Sequence, residues 1–436
     1  LIIKLLLVLN IALLIFFFLF FFYYKKRKIN QYNELNAIKN KEIKNIEKEF
    51  SDYYHKFNKF IFHQKDREII KSNNDIKYEL YKINTNLYFS KSRGRSTAYI
   101  ENYKDNLILT TATGLFFKIN EGDLNKKKIK PIKIETNINN FLKNEKFFIK
   151  SSYSLKDILI DNDNIFVSFN NEVKNGCFNT GVLKAEINEN YLNFKKFFDH
   201  KECKSLTNSK YKTFSAHQAG GRFIKYNEKY LLTHGSYSEF DEVQNDNSIF
   251  GKILLINKSG KLNKVFSKGH RNPQGLTLFK KKIILETEHG PNGGDEINII
   301  KENHNYGWPI ASYGKHYEGQ KHINKFYPLP NSHNSFEEPL KYFKKAIAIS
   351  QIIDVPGFFD NTSDNSIFLS SMKINSSFGN KINLFQYKLI QNKLFLKDTI
   401  PIGERIRDII YNEKRNELIM FLDTSASLLI LKKINN

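Results

Sequence analysis

Cysteine is nearly absent. The 436 residues hold two, Cys177 and Cys203, and no pair is spaced CxxC. Neither an HExxH nor a GxxxxGKS/T string occurs, so zinc-ribbon, zincin and P-loop chemistry have no support. Nine prolines and 21 glycines are too few for a collagen-like or Pro-rich chain. Acidic residues are also scarce: 45 Asp and Glu stand against 68 Lys and Arg, a net charge of +23. The excess is spread along the chain, in runs such as Lys126-Lys127-Lys128 and Lys280-Lys281-Lys282. A nucleic-acid footprint concentrates its charge on one face, so no nucleic-acid partner is expected. Hydrophobic residues at 41% and aromatics at 14% describe a globular chain. Its length allows two to four average domains, or one large all-β domain with attachments. At this point the two cysteines fit either one disulfide across neighbouring strands or two buried thiols.

One long hydrophobic run is present. Residues 5–24 read LLLVLNIALLIFFFLFFFYY, with Asn10 the one polar residue before the two tyrosines. At ~1.5 Å per residue such a helix spans a ~30 Å hydrocarbon core. Tyr23 and Tyr24 fit an interfacial belt, and Lys25-Lys26-Arg27-Lys28 follow. No small-residue cleavage site follows, so residues 1–28 are expected to be an uncleaved transmembrane anchor. The basic cluster by itself favours a cytoplasmic C-terminal side. Residues 29–74 contain neither Gly nor Pro, and Leu35, Ile38, Ile43, Ile46, Phe50, Tyr53 and Phe57 recur at roughly helical spacing. A helical stem is expected over 29–76.

From about residue 77 the pattern turns to short apolar runs separated by turn residues. It recurs over 96–119, 152–187, 218–261, 271–301, 346–389 and 405–432. Most segments have a polar entry, a short strand, a turn and a hydrophobic strand such as NIFVSF or ELIMFL. Six such units predict an all-β fold over 77–436, a six-bladed β-propeller. The cluster Asp161-Asn162-Asp163-Asn164 is a hairpin turn, because Phe166 stands where an EF-hand loop needs Gly.

Propellers carry chemistry where loops and inner-strand ends surround the central channel. The densest polar cluster is Gly269-His-Arg-Asn-Pro-Gln-Gly275, then 288–298 (EHGPNGGDEIN), then Asn305-Tyr-Gly-Trp-Pro309. Six glycines and three prolines in 41 residues make irregular backbone that can offer carbonyls and N–H groups to a ligand. Tight turns braced by Asp295 and Glu296 account for it equally well. His217, at the head of His217-Gln-Ala-Gly-Gly-Arg222, is a candidate base. Arg405 and Arg407 share a strand face. Two adjacent guanidiniums need an anion between them, supplied either by Asp408 or Glu404 or by a ligand. Lys373 after the strand SIFL adds a further cation. Several cations, a base and carbonyl-rich loops suit a polyanionic organic cofactor with a hard cation such as Ca²⁺.

The string GHRNPQG…EHGPNGGDEIN…NYGWP resembles the soluble quinoprotein glucose dehydrogenases, also called glucose/sorbosone dehydrogenases. The resemblance implies a six-bladed propeller binding pyrroloquinoline quinone (PQQ) with Ca²⁺ at the channel mouth. It implies that His217 takes the substrate hydroxyl proton, with Arg271 beside the quinone oxygens. Arg271, Asn272, Lys373, Arg405 and Arg407 are the implied cofactor contacts, and the carbonyls of Gly290 and Pro291 the implied Ca²⁺ ligands. An aldose or related alcohol is the implied substrate, and a quinone or cytochrome the electron acceptor. Enzymes of this kind work in the periplasm, which favours one Cys177–Cys203 disulfide and a single-pass inner-membrane protein with its propeller outside the cytoplasm. Three departures stand out. Ala216 replaces the acidic residue before the base, 152–157 (SYSLKD) stands in place of a Gln-Asn-Gly type loop and lacks its Gln, and 344–348 (KKAIA) replaces an aromatic substrate wall. They favour, as the alternative, a non-catalytic propeller that binds a ligand or partner.

Overall fold

The computed structural model describes residues 60–87, 97–142, 155–188, 190–205, 215–318, 321–359 and 364–434. The expected anchor and most of the expected stem, residues 29–59, lie outside them. Among the described residues no helix is long and apolar enough to cross a membrane. The end of the stem departs from expectation: Phe62–Gln64 and Glu68–Lys71 are strands. Glu68–Lys71 makes a hairpin with Lys77–Asn84 through a turn in which Asp75 takes φ 59°. Ile69-Ile70 is β-branched, and wholly buried Phe62 packs edge-on against Phe117. Local strand propensity and burial override the missing Gly and Pro. The compact unit therefore begins at residue 61 and not at 77.

The protein is an all-β propeller. Its strands fall into six sheets, and each of the six repeated sequence segments holds three successive strands of one sheet. Three sheets are simple four-strand meanders, over residues 220–268, 273–343 and 349–401. Two have a fifth strand. The last sheet joins both ends of the unit: Ile406–Asn412, Glu417–Leu422 and Ser427–Lys433 are followed by Lys77–Asn84, then Phe62–Gln64. The closing pair runs in register from Ser427↔Asn84 to Lys433↔Tyr78. Hairpin turns fall where Asn accepts left-handed backbone, as at Asn162 (φ 54°) and Asn416 (φ 50°). The core lies between neighbouring sheets. Leu418, Met420 and Leu429 of the last sheet pack with Phe368 and Leu384 of the one before it, all wholly buried. Each such side chain contributes about 1.5–3 kcal/mol.

The first strands of the sheets form a closed ring. Ala98–Tyr103 packs on Leu155–Asp161, then Gly220–Tyr226, Pro273–Phe279, Ile349–Val355 and Ile406–Asn412, which returns to Ala98–Tyr103. Cross-bonds fix their alignment near the second or third residue of each. Ile100 N donates to Asp408, Phe223 N to Asp157, Arg222 Nε to the Gln274 carbonyl, and Ser350 Oγ to the Arg407 carbonyl. All six strands thus start at the same end of the channel.

At this level Arg222 bars the channel. Its Nη1 is 2.8 Å from Asp157 on the adjacent strand and 2.8 Å from Asp408 on the strand directly opposite. Beyond the bar lies a cavity of about 590 Å³, lined by Glu101, Gln351, Asp354 and Tyr411 among others.

Candidate functional site

Residues just ahead of the ring strands gather at one mouth. His217 sits on the single 3₁₀ turn Ala216–Gln218 that leads into Gly220–Tyr226, and it is exposed. The turn is pinned by Tyr237 N to the Gln218 carbonyl (3.0 Å) and Gly235 N to the Ala219 carbonyl (2.8 Å). Gly221 is obligatory here. Its φ is +112°, and a Cβ would lie 2.3 Å from Cβ of Lys156.

Arg271 and Asn272 precede the next strand. Arg271 is buried, its own backbone N–H donating to Glu288 at 2.5 Å. Its Nη1 donates to the carbonyls of His289 (3.0 Å) and Gly290 (2.9 Å), and the guanidinium lies 5.3 Å from the Trp308 ring centroid. The Arg271 Nε is buried and has no hydrogen-bond partner among the described residues. Asn272 braces the loops: its Oδ1 accepts from Gln274 Nε2 (3.0 Å) and its carbonyl from His289 N (3.2 Å).

Gly290 and Pro291 begin a buried loop folded over Asp295, which accepts from Gly290 N (3.2 Å), Ile347 N (2.9 Å) and Ile349 N (3.4 Å). Asp295 is a brace, as the plain reading of the sequence expects. Glu296 faces the other side and contacts His333 at 3.1 Å. A Cβ on Gly290 would meet the Gly293 carbonyl at 2.2 Å, so the loop closes only with glycine there.

The guanidinium pair is balanced differently from either sequence candidate. Arg407 reaches Asp423 at 2.9 Å and Arg405 the same carboxylate at 3.6 Å. Asp408 serves Arg222, and Glu404 serves Lys82 at 2.6 Å. Asp423 was not apparent from sequence because it arrives from the next hairpin, after Leu422. Arg405 also donates to the Met372 carbonyl at 2.6 Å, which sets it beside the exposed Lys373.

His289, unremarked in the sequence, marks the point of convergence. Burial pushes its imidazole down to about 3, and the nearby charges of Arg271, Arg407 and Arg405 add to the effect. It is neutral at physiological pH. Three guanidiniums from two sheets therefore share this mouth, with one carboxylate, Asp423, bonded between two of them. Below the Arg271 loop, His270, Glu286 and Glu288 place ligand-type atoms within 4.8 Å of one another, all buried. Glu286-x-Glu288 at a period of two in a strand was the available sequence signal. Asn298 Nδ2 bridges the two carboxylates at 3.0 and 3.4 Å, and burial with Glu288 alongside raises the Glu286 carboxyl well above its usual range.

Cys177 and Cys203 are joined as a disulfide that ties the strand Cys177–Glu186 to the chain ahead of Lys204–Ser205. Of the departures, Ala216 is buried and Lys344 and Lys345 are exposed, while residues 152–154 lie outside the described part.

Solved structures share this fold. A glucose dehydrogenase aligns with TM-score 0.60 at 22% identity, over 78% of this chain and 96% of its own. The soluble aldose sugar dehydrogenase from Escherichia coli, in its apo-form, aligns with TM-score 0.60 at 18% identity, over 85% and 99%. In sequence, the aldose sugar dehydrogenase YliI of Escherichia coli (strain K12) is 28% identical over 213 residues, 44% of this chain and 53% of that protein. Quinoprotein glucose dehydrogenase B of Acinetobacter calcoaceticus is 41% identical over 75 residues, 14% of this chain and 16% of that one. The matched region thus spans about half the length, or less, of these curated relatives. The glucose / sorbosone dehydrogenase family model matches residues 110–430, nearly all of the propeller, and the chain belongs to that family.

Proposed function

We propose that this protein is a PQQ- and Ca²⁺-dependent dehydrogenase that oxidises an aldose or related alcohol at this mouth. One observation carries the reading: His217, Arg271, Asn272, Lys373, Arg405 and Arg407, which lie up to 190 residues apart in sequence, stand around the same end of the ring. Family membership supports it, and so does the likeness to proteins named as aldose sugar and quinoprotein glucose dehydrogenases. Each of the six sheets is read as one blade.

The donor set fits a polyanionic quinone. Arg271 Nε is a buried donor lacking an acceptor among the described residues, and Arg405 and Arg407 share one carboxylate, so the mouth retains positive charge for carboxylates or quinone oxygens to meet. When bound, PQQ would supply the two-electron acceptor for the substrate's hydride. Lys373, Arg405, Arg407 and Asn272 would hold it. Arg271, kept in place by Glu288 and by two carbonyls, would stabilise negative charge there without reorganising. His217 would take the hydroxyl proton in its neutral form. The carbonyls of Gly290 and Pro291 would hold Ca²⁺; the Gly290 oxygen already accepts from Arg271, and its second lone pair would serve the ion.

A single N-terminal helix in the inner membrane, a periplasmic propeller and a quinone or cytochrome as electron acceptor belong to the same proposal. The apolar run 5–24 and the disulfide support it. A second reading, a propeller that binds but does not oxidise, is favoured by Ala216 beside the proposed base and by the exposed Lys344 and Lys345.

The test is a titration of residues 61–436 with PQQ and Ca²⁺, followed by thermal shift and the quinone absorption spectrum, then a panel of aldoses. Ca²⁺-dependent binding with bleaching by a sugar is the expected result. Binding without reduction by any member of the panel would favour the second reading. No binding by folded protein would overturn the PQQ assignment and leave a propeller that recognises another ligand or a partner.

A further inference from the structure

Lys156 is the second residue of the ring strand Leu155–Asp161 and lies at the same mouth, although no motif assigns it a role. Its stem crosses Gly221, whose missing Cβ makes the space: a Cβ there would fall 2.3 Å from Lys156 Cβ and 2.9 Å from its Cγ. Its Nζ ends 3.4 Å from the carbonyl of Ala216, the residue bonded directly to His217. Asn170 Nδ2 reaches the same carbonyl at 3.5 Å, so two side chains meet the head of the turn, while the Tyr237 and Gly235 amides pin its far end.

Building on the dehydrogenase reading, we propose that Lys156 is the positioning residue for proton transfer: its side chain, admitted by Gly221, fixes the Ala216–Gln218 turn and so the direction of the His217 imidazole. The other charged groups near it are already engaged. Asp157 faces Arg222, and Asp408 faces Arg222 from across the channel. Arg407 faces Asp423, and Tyr99 on Ala98–Tyr103 lies beneath the Arg222 guanidinium at 5.4 Å. Burial, with the Arg407 charge nearby, pushes the Lys156 ammonium down to about 7. A lysine in that state remains a donor to the Ala216 carbonyl whether or not it carries its last proton. It does not depend on being charged to hold the turn.

The test uses Lys156→Met, which keeps the stem over Gly221 and deletes the donor, with Lys156→Gln as a polar control. In the reconstituted protein, kcat of Lys156→Met should fall roughly tenfold, with KM and PQQ affinity within about twofold of the parent. Lys156→Gln, which can still donate, should recover part of that loss. Independently of turnover, histidine NMR of the cofactor-free protein, with His217 assigned through His217→Asn, should show its resonance displaced. An unchanged kcat in an active parent, or an unchanged His217 resonance, would overturn the proposal. If the parent itself oxidises nothing, the dehydrogenase reading fails, and the NMR measurement still decides whether Lys156 positions His217.

Discussion

Replacing Arg222 by Met should damage the protein in a way that depends on pH. Arg222 has a side chain 4% exposed and binds Asp157 and Asp408 at 2.8 Å each, with the Gln274 carbonyl at 2.7 Å. Charges about 4 Å apart attract by about 4 kcal/mol at an effective dielectric of 20. Much of that is offset by desolvation of the three groups. Removing the cation leaves two buried carboxylates facing an apolar thioether, and breaking such a pair costs about 3–5 kcal/mol. For a unit of this size the melting temperature should drop by roughly 4–6 °C.

The pH dependence follows from Asp157. Burial raises its carboxyl, Arg222 pulls it back, and Asp408 pushes it up again. Without Arg222 the rise is larger. A carboxyl whose folded pKa lies above its unfolded value contributes stability at low pH and loses it as pH climbs through the raised value. Urea unfolding of Arg222→Met should therefore show a modest deficit at pH 5 that grows toward pH 8, by at most about 1.4 kcal/mol per pH unit per proton. Converting Asp157 and Asp408 to Asn in the same chain should restore much of the loss, because the remaining polar groups are uncharged. An equal deficit at pH 5 and 8, or one below about 1 kcal/mol, would refute the buried-triad account.

Three other outcomes are expected. His217→Asn should leave the melting temperature within about 1 °C, since the residue is exposed, while saturated turnover falls at least ~100-fold in the assay with PQQ and sugar. Replacing Cys177 and Cys203 by Ser opens a loop with a sequence separation of 26 and should cost about 3 kcal/mol in denaturant unfolding. His234 accepts Thr180 N at 3.2 Å and contacts the Gly235 carbonyl at 3.1 Å, and burial pushes it down to about 3. Its folded pKa lies below its unfolded value of about 6.5, so stability falls from that pH toward 3, by up to about 1.4 kcal/mol per unit. In His234→Gln, the acid limb of a stability-versus-pH curve should be shallower by one proton; an unchanged limb would contradict the assignment.

The ring was legible in the sequence because each sheet repeats the same local chemistry: a turn of Asn, Asp or Gly, then an apolar run that must be buried on both faces. NIFVSF and ELIMFL are such runs, and both became second strands. Residues 61–76 misled because the missing Gly and Pro described a helix, while Ile69-Ile70 and buried Phe62 belong to strands chosen by pairing with later strands, Lys77–Asn84 and Lys128–Ile129. The irregular loops were legible for the opposite reason. Clusters such as Gly290-Pro291 and Gly293-Gly294 have few uses besides close backbone approach, and the structure folds them over Asp295. What stayed hidden were charges matched across the ring. Asp423 between Arg405 and Arg407, and Asp408 opposite Arg222, depend on which strands face each other, and no spacing along the chain encodes that.

The seam between Lys77–Asn84 and Ser427–Lys433 bears on how the chain is made. During synthesis the first of these strands leaves the ribosome some 340 residues before its partner exists. At about 5–20 residues per second that is a wait of tens of seconds. Throughout it, a strand carrying Tyr78, Leu80, Tyr81 and Ile83, all bound for the interior, offers its bare edge to any passing chain. A nascent protein of this build is exposed to mispairing until Ser427–Lys433 emerges, so losing that one strand should harm yield far more than its share of the fold suggests.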